Sequence, residues 1–498
     1  MRKLSVFRGG FDAEAATHIA DASLHTLSVL VEKSLVRASP SGRYDLHELL
    51  RQFAEEKLNE AGELVATLEK HLDYFVIWAE EANLQLRGMQ QVTWYRRIET
   101  ENDNLRAALA WGINGQRAEA GLRLANALWW FWFRRGYLHE GYEWLSKGIA
   151  RTVGDLPTRA YAMAYASTLF APLHSAMIGD YFDESLRISQ KLGLQDLVAM
   201  ADVTLSLNEA DYERAIEMFE QALSLLRQLE ARFELTAALF LYGDRARVQG
   251  DLGRAERLYQ ESHDIALADQ NRELMISPLG NLGRLAVYRG DDEQAATLLQ
   301  QAVSIGRELG NRYDIADWLI HLGTFEVYLG NYSEAEEQLE ETLTLFRDIG
   351  NQTGIAHGTH CLADLALHQG NYARAAKLVS DSLSLSQGFL VNFSNREFSV
   401  ARLLIVGKLA LVYEDHEEAA RLFGAAEALR EQNGYLLEPL PHTEYEEAVA
   451  QVRMQLETAV FEAAWGEGQG MTEEVAIAYA LGYLQRQFYV GGKSRVWK

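Results

Sequence analysis

His357, His360 and Cys361 fall at spacings of three and four, so one helical face would gather two imidazoles and a thiol, the donor types that bind zinc-like metals. Position 361, however, lines up with His321 and Asn281 at successive intervals of 40 residues. That column takes polar side chains without any metal logic, and no metal is expected. Gly491-Gly492-Lys493-Ser494 mimics the end of a phosphate-binding loop. The loop needs a glycine five residues before Gly492, where Gln487 stands, and a following helix, where only Arg495-Val496-Trp497-Lys498 remains. No nucleophile elbow, His-Glu-x-x-His pair or acid-base pair emerges, so the residues do not point to an enzyme. Acidic runs such as Glu334 to Glu341 read as solvated helix faces.

The elements that would position such side chains follow from composition and period. In 498 residues, 48% hydrophobic side chains exclude disorder, and only six prolines leave a chain that is nearly all helix. One cysteine, Cys361, cannot form an internal disulfide, and no apolar run reaches the length of a membrane span; a cytoplasmic location without membrane contact is the simplest reading. A formal charge of −24 opposes general phosphate binding.

A period of 40 residues organises the middle of the chain. Gly250-Asp251, Gly290-Asp291, Gly330-Asn331 and Gly370-Asn371 recur, each followed by Ala255, Ala295, Ala335 or Ala375 and, four residues on, by Tyr259, Leu299, Leu339 or Val379. Each unit also carries a large-small pair, Tyr242-Gly243, Leu282-Gly283, Leu322-Gly323 or Leu362-Ala363. The glycine ends a helix and the Asp or Asn caps the next one, so each unit predicts a helical hairpin in which the small residue admits the second helix and the alanine faces it. This column order resembles the tetratricopeptide repeat with about six extra residues per unit. The resemblance implies an all-α, right-handed solenoid with first helices on a concave face. Looser units flank it at Gly179-Asp180-Tyr181 and Asp415 to Ala419, and segments Glu444 to Trp465 and Glu473 to Gln487 suit a C-terminal cap.

The first 150 residues differ. Leu24 to Lys33 has helical periodicity, and Ser34 to Ala38 with Arg43 to Leu46 alternate like two strands around Ser39-Pro40-Ser41-Gly42. Helix, hairpin, helix is the plan of a winged helix. Trp129-Trp130-Phe131-Trp132-Phe133 cannot all face one side, so their helix is expected to be buried around most of its circumference, packed between the two halves of the chain. The expected domains are residues 1–65, winged-helix-like with its first helix largely missing; 66–155, a helical bridge with an aromatic core; 156–437, the repeats, with the strict period from about 200 to 390; and 438–498, a helical cap and basic tail.

Leu4-Ser5-Val6-Phe7-Arg8-Gly9-Gly10-Phe11, Leu30-Val31-Glu32-Lys33-Ser34-Leu35-Val36 and Tyr44-Asp45-Leu46-His47-Glu48-Leu49-Leu50-Arg51 resemble the winged-helix region of bacterial STAND regulators, signal-transduction ATPases with numerous domains. Glu101 to Leu109 and Leu422 to Leu429 resemble that family's helical regions. The resemblance implies a nucleotide-binding domain of NB-ARC type ahead of residue 1, repeats that act as sensor, and membership among regulators with LuxR-type or antibiotic-regulator-type effectors. The chain is then the C-terminal half of a longer protein or a product without that domain. ADP or ATP is expected only where the upstream domain exists, and this chain holds no cofactor of its own. Leu46-His47-Glu48 loosely matches the family's Met-His-Asp motif, which implies that His47 donates to the β-phosphate of bound ADP; the alternative is a histidine capping the strand-helix junction.

The tetratricopeptide resemblance also implies which side chains meet a ligand. First-helix residues two, five and six after the large member of each pair project into the concave face. This selects Asp244, Arg247, Arg284, Tyr288, Thr324, Tyr328, Asp364 and His368, with Val248, Val287, Val327 and Leu367 between them. The expected function is a sensor module that binds a protein, peptide or small-molecule signal there and reports to the upstream domain. The alternative is a stand-alone interaction scaffold. Direct DNA binding is not expected, because residues 1–70 hold nine basic and eleven acidic side chains.

Overall fold

The computed structural model describes residues 1–170, 178–386, 393–433 and 439–489. Gly491 to Ser494 and the basic tail lie outside them. Among the described residues the chain forms twenty-four α-helices and one two-stranded sheet, divided into two compact units. The first comprises Met1–Ser206, Glu220–Glu234 and Leu267–Arg272; the second comprises Leu207–Phe219, Leu235–Ala266 and the residues from Glu273 onward. No helix among the described residues is long and apolar enough to cross a membrane.

In the first unit, Asp12 and Ser23 cap helices Ala13–Ala20 and Leu24–Glu32 by accepting from Ala15 N and Thr26 N. Strands Arg37–Ala38 and Tyr44–Asp45 pair antiparallel, and Phe11 bridges to Tyr44 as a third segment. The strands are shorter than the alternation at Ser34 to Ala38 predicts. Ser34 adopts φ 54°, and the amides of Ser34, Leu35 and Val36 bond back to Val31 O and Leu30 O, so this stretch closes the preceding helix instead of extending the ladder. Helix Glu48–Glu60 follows directly.

These elements are stitched to the bridge. Asn104, fully buried on helix Gln91–Asn114, accepts from Arg8 N at 2.7 Å and donates to Gly10 O at 2.8 Å. Buried amide pairs of this kind fix register because each lost bond would leave an unsatisfied group. Helix Ala118–Arg135 buries Trp129, Trp130, Phe131 and Trp132, as its five aromatics predict. Their partners lie within this one unit and not between halves of the chain: Trp129 stacks on Tyr165 at 4.4 Å, and Trp130 meets Phe233 edge-on at 5.0 Å.

The second unit is built from the 40-residue hairpins. Helices Arg272–Arg289 and Asp292–Leu309, Arg312–Leu329 and Tyr332–Asp348, and Gln352–His368 and Tyr372–Ser386 are three successive pairs, preceded by Arg232–Val248 and Leu252–Ala268. Gly330 takes φ 79° at the helix end, a conformation open to glycine at no steric cost, and the turn recurs at Gly250, Gly290 and Gly370. Asp251, Asp291 and Asn371 then accept from Arg254 N, Gln294 N and Arg374 N. Asn331 breaks the rule: its amide turns back to Glu326.

The large-small pair works differently from the expectation. A Cβ at Gly243, Gly283 or Gly323 would meet Tyr259, Leu299 or Leu339 at 2.7, 3.0 and 2.9 Å. The glycine therefore comes closest to the bulky residue four after the alanine; at Gly323 the Ala335 carbonyl follows at 3.5 Å, and Ala255, Ala295, Ala335 and Ala375 are all fully buried. A second stitch escaped the sequence reading: Ser262, Thr342 and Ser382 each donate a hydroxyl to the carbonyl 26 residues earlier, on Thr236, Ala316 and Ala356.

Beyond the hairpins, helices His416–Asn433 and Thr458–Gln469 approach closely enough that Gly424 and Gly468 face the opposing backbone. Helix Glu473–Leu484 adds Ala476, Ala480, Tyr483 and Leu484 to the same core.

Candidate ligand-binding face of the repeat hairpins

The first helices of the hairpins carry a stripe of polar and aromatic side chains inside the second unit. Asp244 accepts from Tyr259 Oη at 2.8 Å and lies 3.6 Å from Arg247 Nε. Arg284 donates to Asn281 Oδ1 at 3.3 Å. Its charge acts on Tyr259, Asp317, His321 and His357, which places all of them in one neighbourhood. Ring contacts extend the series: Trp318 to His321 at 5.2 Å, His321 to His357 at 6.2 Å, His357 to His360 at 5.0 Å and His357 to Phe398 at 4.0 Å. Arg402 closes it over the Phe398 ring and donates to Ser382 Oγ at 2.8 Å.

Burial sets the electrostatics of this stripe. It raises the Asp317 carboxyl to about 7, with Asp314 adding to the effect and Arg284 opposing it. Burial and then the charges of Arg402 and Arg284 bring His357 down to about 3; His321 and His360 fall well below the ordinary range for the same first reason. Asp317, His321 and His357 nevertheless keep part of their surface accessible. At neutral pH the His321 and His357 rings are thus uncharged beside the half-buried Arg284, with Trp318 and Arg402 buried beneath the surface. Such a surface offers hydrogen bonds in both senses and a seat for an anionic group.

The residues selected from the sequence separate into two groups. Asp244, Arg247, Arg284 and Thr324 join the stripe, Thr324 through an Oγ1 to Cys361 Sγ distance of 3.9 Å. Asp364 stands in the register of Asp244, Arg284 and Thr324, while Tyr288, Tyr328 and His368 lie one turn farther along their helices; all four are half-buried, and Tyr328 stacks on Phe325 at 6.2 Å. His368 is already engaged: its Nε2 lies 2.6 Å from Glu444 Oε1, its Nδ1 2.9 Å from Asp364 O, and Glu444 also pairs with Lys408. The chain's own helix Pro439–Gln455 therefore covers this end of the face.

Asp317, His321, His357, His360, Phe398 and Arg402 were not selected, although a signal for four of them exists. Positions 317, 321, 324 and 328, like 357, 361, 364 and 368, are one stripe at i, i+4, i+7 and i+11. Extending the selected positions toward each helix's N-terminus finds Asp317, His321 and His357 directly, and His360 beside Cys361. Phe398 and Arg402 come from helix Phe393–Val412, outside the period, and no repeat rule reaches them.

His47 stands apart in the first unit. It is exposed and caps helix Glu48–Glu60, its Nδ1 accepting from Leu49 N at 3.3 Å.

Residues 274–348 match the tetratricopeptide repeat family model. Proteins of Mycobacterium tuberculosis (strain ATCC 25618 / H37Rv) and Mycobacterium bovis whose names propose an HTH-type transcriptional regulator are 30% identical over 286 residues, 53% of this chain and 32% of theirs. The chain thus spans about a third of the length of the curated relatives it matches. Among solved structures, a STAND protein with a tetratricopeptide repeat sensor from Pyrococcus horikoshii aligns over 98% of this chain and 62% of its own, at 15% identity and a TM-score of 0.38. A Rap protein complexed with competence and sporulation factor aligns over 70% and 99%, at 14% identity and a TM-score of 0.48.

Proposed function

We propose that this chain is the sensor portion of a STAND-type transcriptional regulator, a non-enzymatic cytoplasmic module whose repeat hairpins bind a peptide or small polar signal. The observation that carries this reading is the stripe from Asp244 to Arg402: buried polar groups are costly, and gathering them on the ligand-facing side of a repeat array suits recognition better than packing. The repeat match at residues 274–348 and the longer mycobacterial relatives support it.

In this reading the elements from Ala13 to Glu60 form a winged helix that contacts an upstream nucleotide-binding domain. Leu49 and Phe53, one turn apart on helix Glu48–Glu60, are 70% and 55% exposed and offer that domain an apolar face. When the His47 ring is uncharged and its Nδ1 accepts from Leu49 N, its proton sits on Nε2, where it can donate to a phosphate oxygen of ADP. A signal on the repeats transmits by favouring one of two domain arrangements.

Native mass spectrometry of the protein from its source cytoplasm tests the sensor reading. A retained ligand should be weakened by about 1 kcal/mol or more in Arg284→Ala and Tyr328→Ala, with the helical melting curve unchanged. Binding that survives both substitutions would move the sensor face elsewhere. Equilibrium dialysis of this chain against ADP should show no retention at micromolar concentration, since His47 supplies at most one contact; retention would place a complete nucleotide site inside the chain.

A further inference from the structure

We propose that His357, His360 and Cys361 form a binding site for a thiophilic d10 metal ion, Zn(II) or Cu(I). Their three ligand atoms all lie within 4.8 Å of one another. The distance from Cys361 Sγ to His360 Nε2 is 3.7 Å. Two donors on one tetrahedral zinc, with bonds of about 2.3 Å to sulfur and about 2.05 Å to nitrogen, are about 3.6 Å apart, so this pair needs almost no movement to share an ion.

A second observation is independent of that spacing. His360 is buried, 7% exposed, and its Nδ1 has no hydrogen-bond partner. Coordination through Nδ1 satisfies that nitrogen and leaves the ring proton on Nε2, beside Cys361 Sγ; coordination through Nε2 leaves Nδ1 as it is.

Binding displaces the Cys361 proton to solvent, forms the metal-sulfur bond and leaves the histidines as neutral donors. The surroundings suit the resulting charge. Arg402, which lies near enough for its charge to interact with Cys361, stabilises the thiolate, and Thr324 Oγ1 is 3.9 Å from the sulfur. One thiolate and two imidazoles cancel the charge of Cu(I) and half that of Zn(II), and three protein ligands leave a fourth position open. This site does not depend on the sensor reading: a metal would be held whether or not the face also binds a signal.

The test uses the full chain, purified metal-free under reductant. It should withhold one equivalent of Zn(II), or of Cu(I) under anaerobic conditions, from a chromophoric chelator, and Co(II) should give a thiolate-to-metal charge-transfer band. Cys361→Ser should abolish that band, and His360→Gln should weaken metal retention at least tenfold. Cys361 is the chain's one cysteine, so protection of total thiol from alkylation by the metal reads this site in the unsubstituted protein even if a variant fails to fold. Failure to withhold either metal, or equal retention by both variants in the folded state, overturns the proposal. Loss of signal binding with metal binding intact would instead count against the sensor reading alone.

Discussion

Gly468→Val is expected to lower the melting temperature of the second unit by roughly 6–10 °C, an effect of about 3 kcal/mol at the upper end of overpacking costs. A Cβ at position 468 would run into Arg421 O and lie 2.9 Å from Ala425 N. Both are backbone atoms of helix His416–Asn433, so no rotamer change relieves the contact. The approach is close from the other side as well, because a Cβ at Gly424 would run into Trp465 O. Gly466→Ala is the control: it lies on the same helix, a Cβ there meets nothing within 4 Å, and it should melt like the parent or slightly higher. If both variants melt together, the close approach does not hold this part of the fold.

The second large effect is on pH. The hydrogen bond to Glu444 raises His368 to about 9, while burial of Glu444 works against its ionisation and is outweighed by His368 and Lys408, which bring its carboxyl to about 2. A histidine raised in this way stabilises the folded state fully below its unfolded value near 6.5, and loses that contribution as pH climbs through 9. The carboxylate contributes above about 4.5 and loses its share as pH falls through 2. Docking of helix Pro439–Gln455 should therefore be strongest between roughly pH 4.5 and 6.5 and weaken by about 2 kcal/mol by pH 9.5, after allowance for the pair's partial exposure. Urea titrations at pH 6 and 9.5 should show this loss in the parent and not in His368→Gln. A parent protein equally stable at both values would mean that the pair is solvated.

The hairpins were legible because a period of 40 residues repeats the same local decisions. Gly330 ends a helix, Asp291 caps one, and Gly323 admits another wherever they occur in the cycle. The closest partner of each glycine was not legible: sequence spacing places Ala335 and Leu339 on one face, and only the packing shows that Leu339 comes nearest to Gly323, ahead of Ala335. For the site, the selected offsets captured Asp244, Arg247, Arg284 and Thr324 but stopped one turn short of Asp317, His321 and His357. Phe398, Arg402 and Glu444 were out of reach for a physical reason. They lie beyond the periodic segment, and contacts across 36 to 76 residues, such as Lys408 and His368 with Glu444, leave no local pattern. The short strands were missed in extent because the amides of Leu35 and Val36 had a nearer acceptor in Leu30 O than any partner strand could provide.

The hydroxyl stitches from Ser262, Thr342 and Ser382 each span 26 residues, and each joins the two helices of a single hairpin. Their consequence is one of order in time. A hairpin can close as soon as its second helix has left the ribosome, without waiting for distant chain, and the loop entropy of each closure is small and alike. Synthesis and folding of this segment can therefore keep pace from one hairpin to the next, with Glu444 sealing the last of them only when helix Pro439–Gln455 has been made.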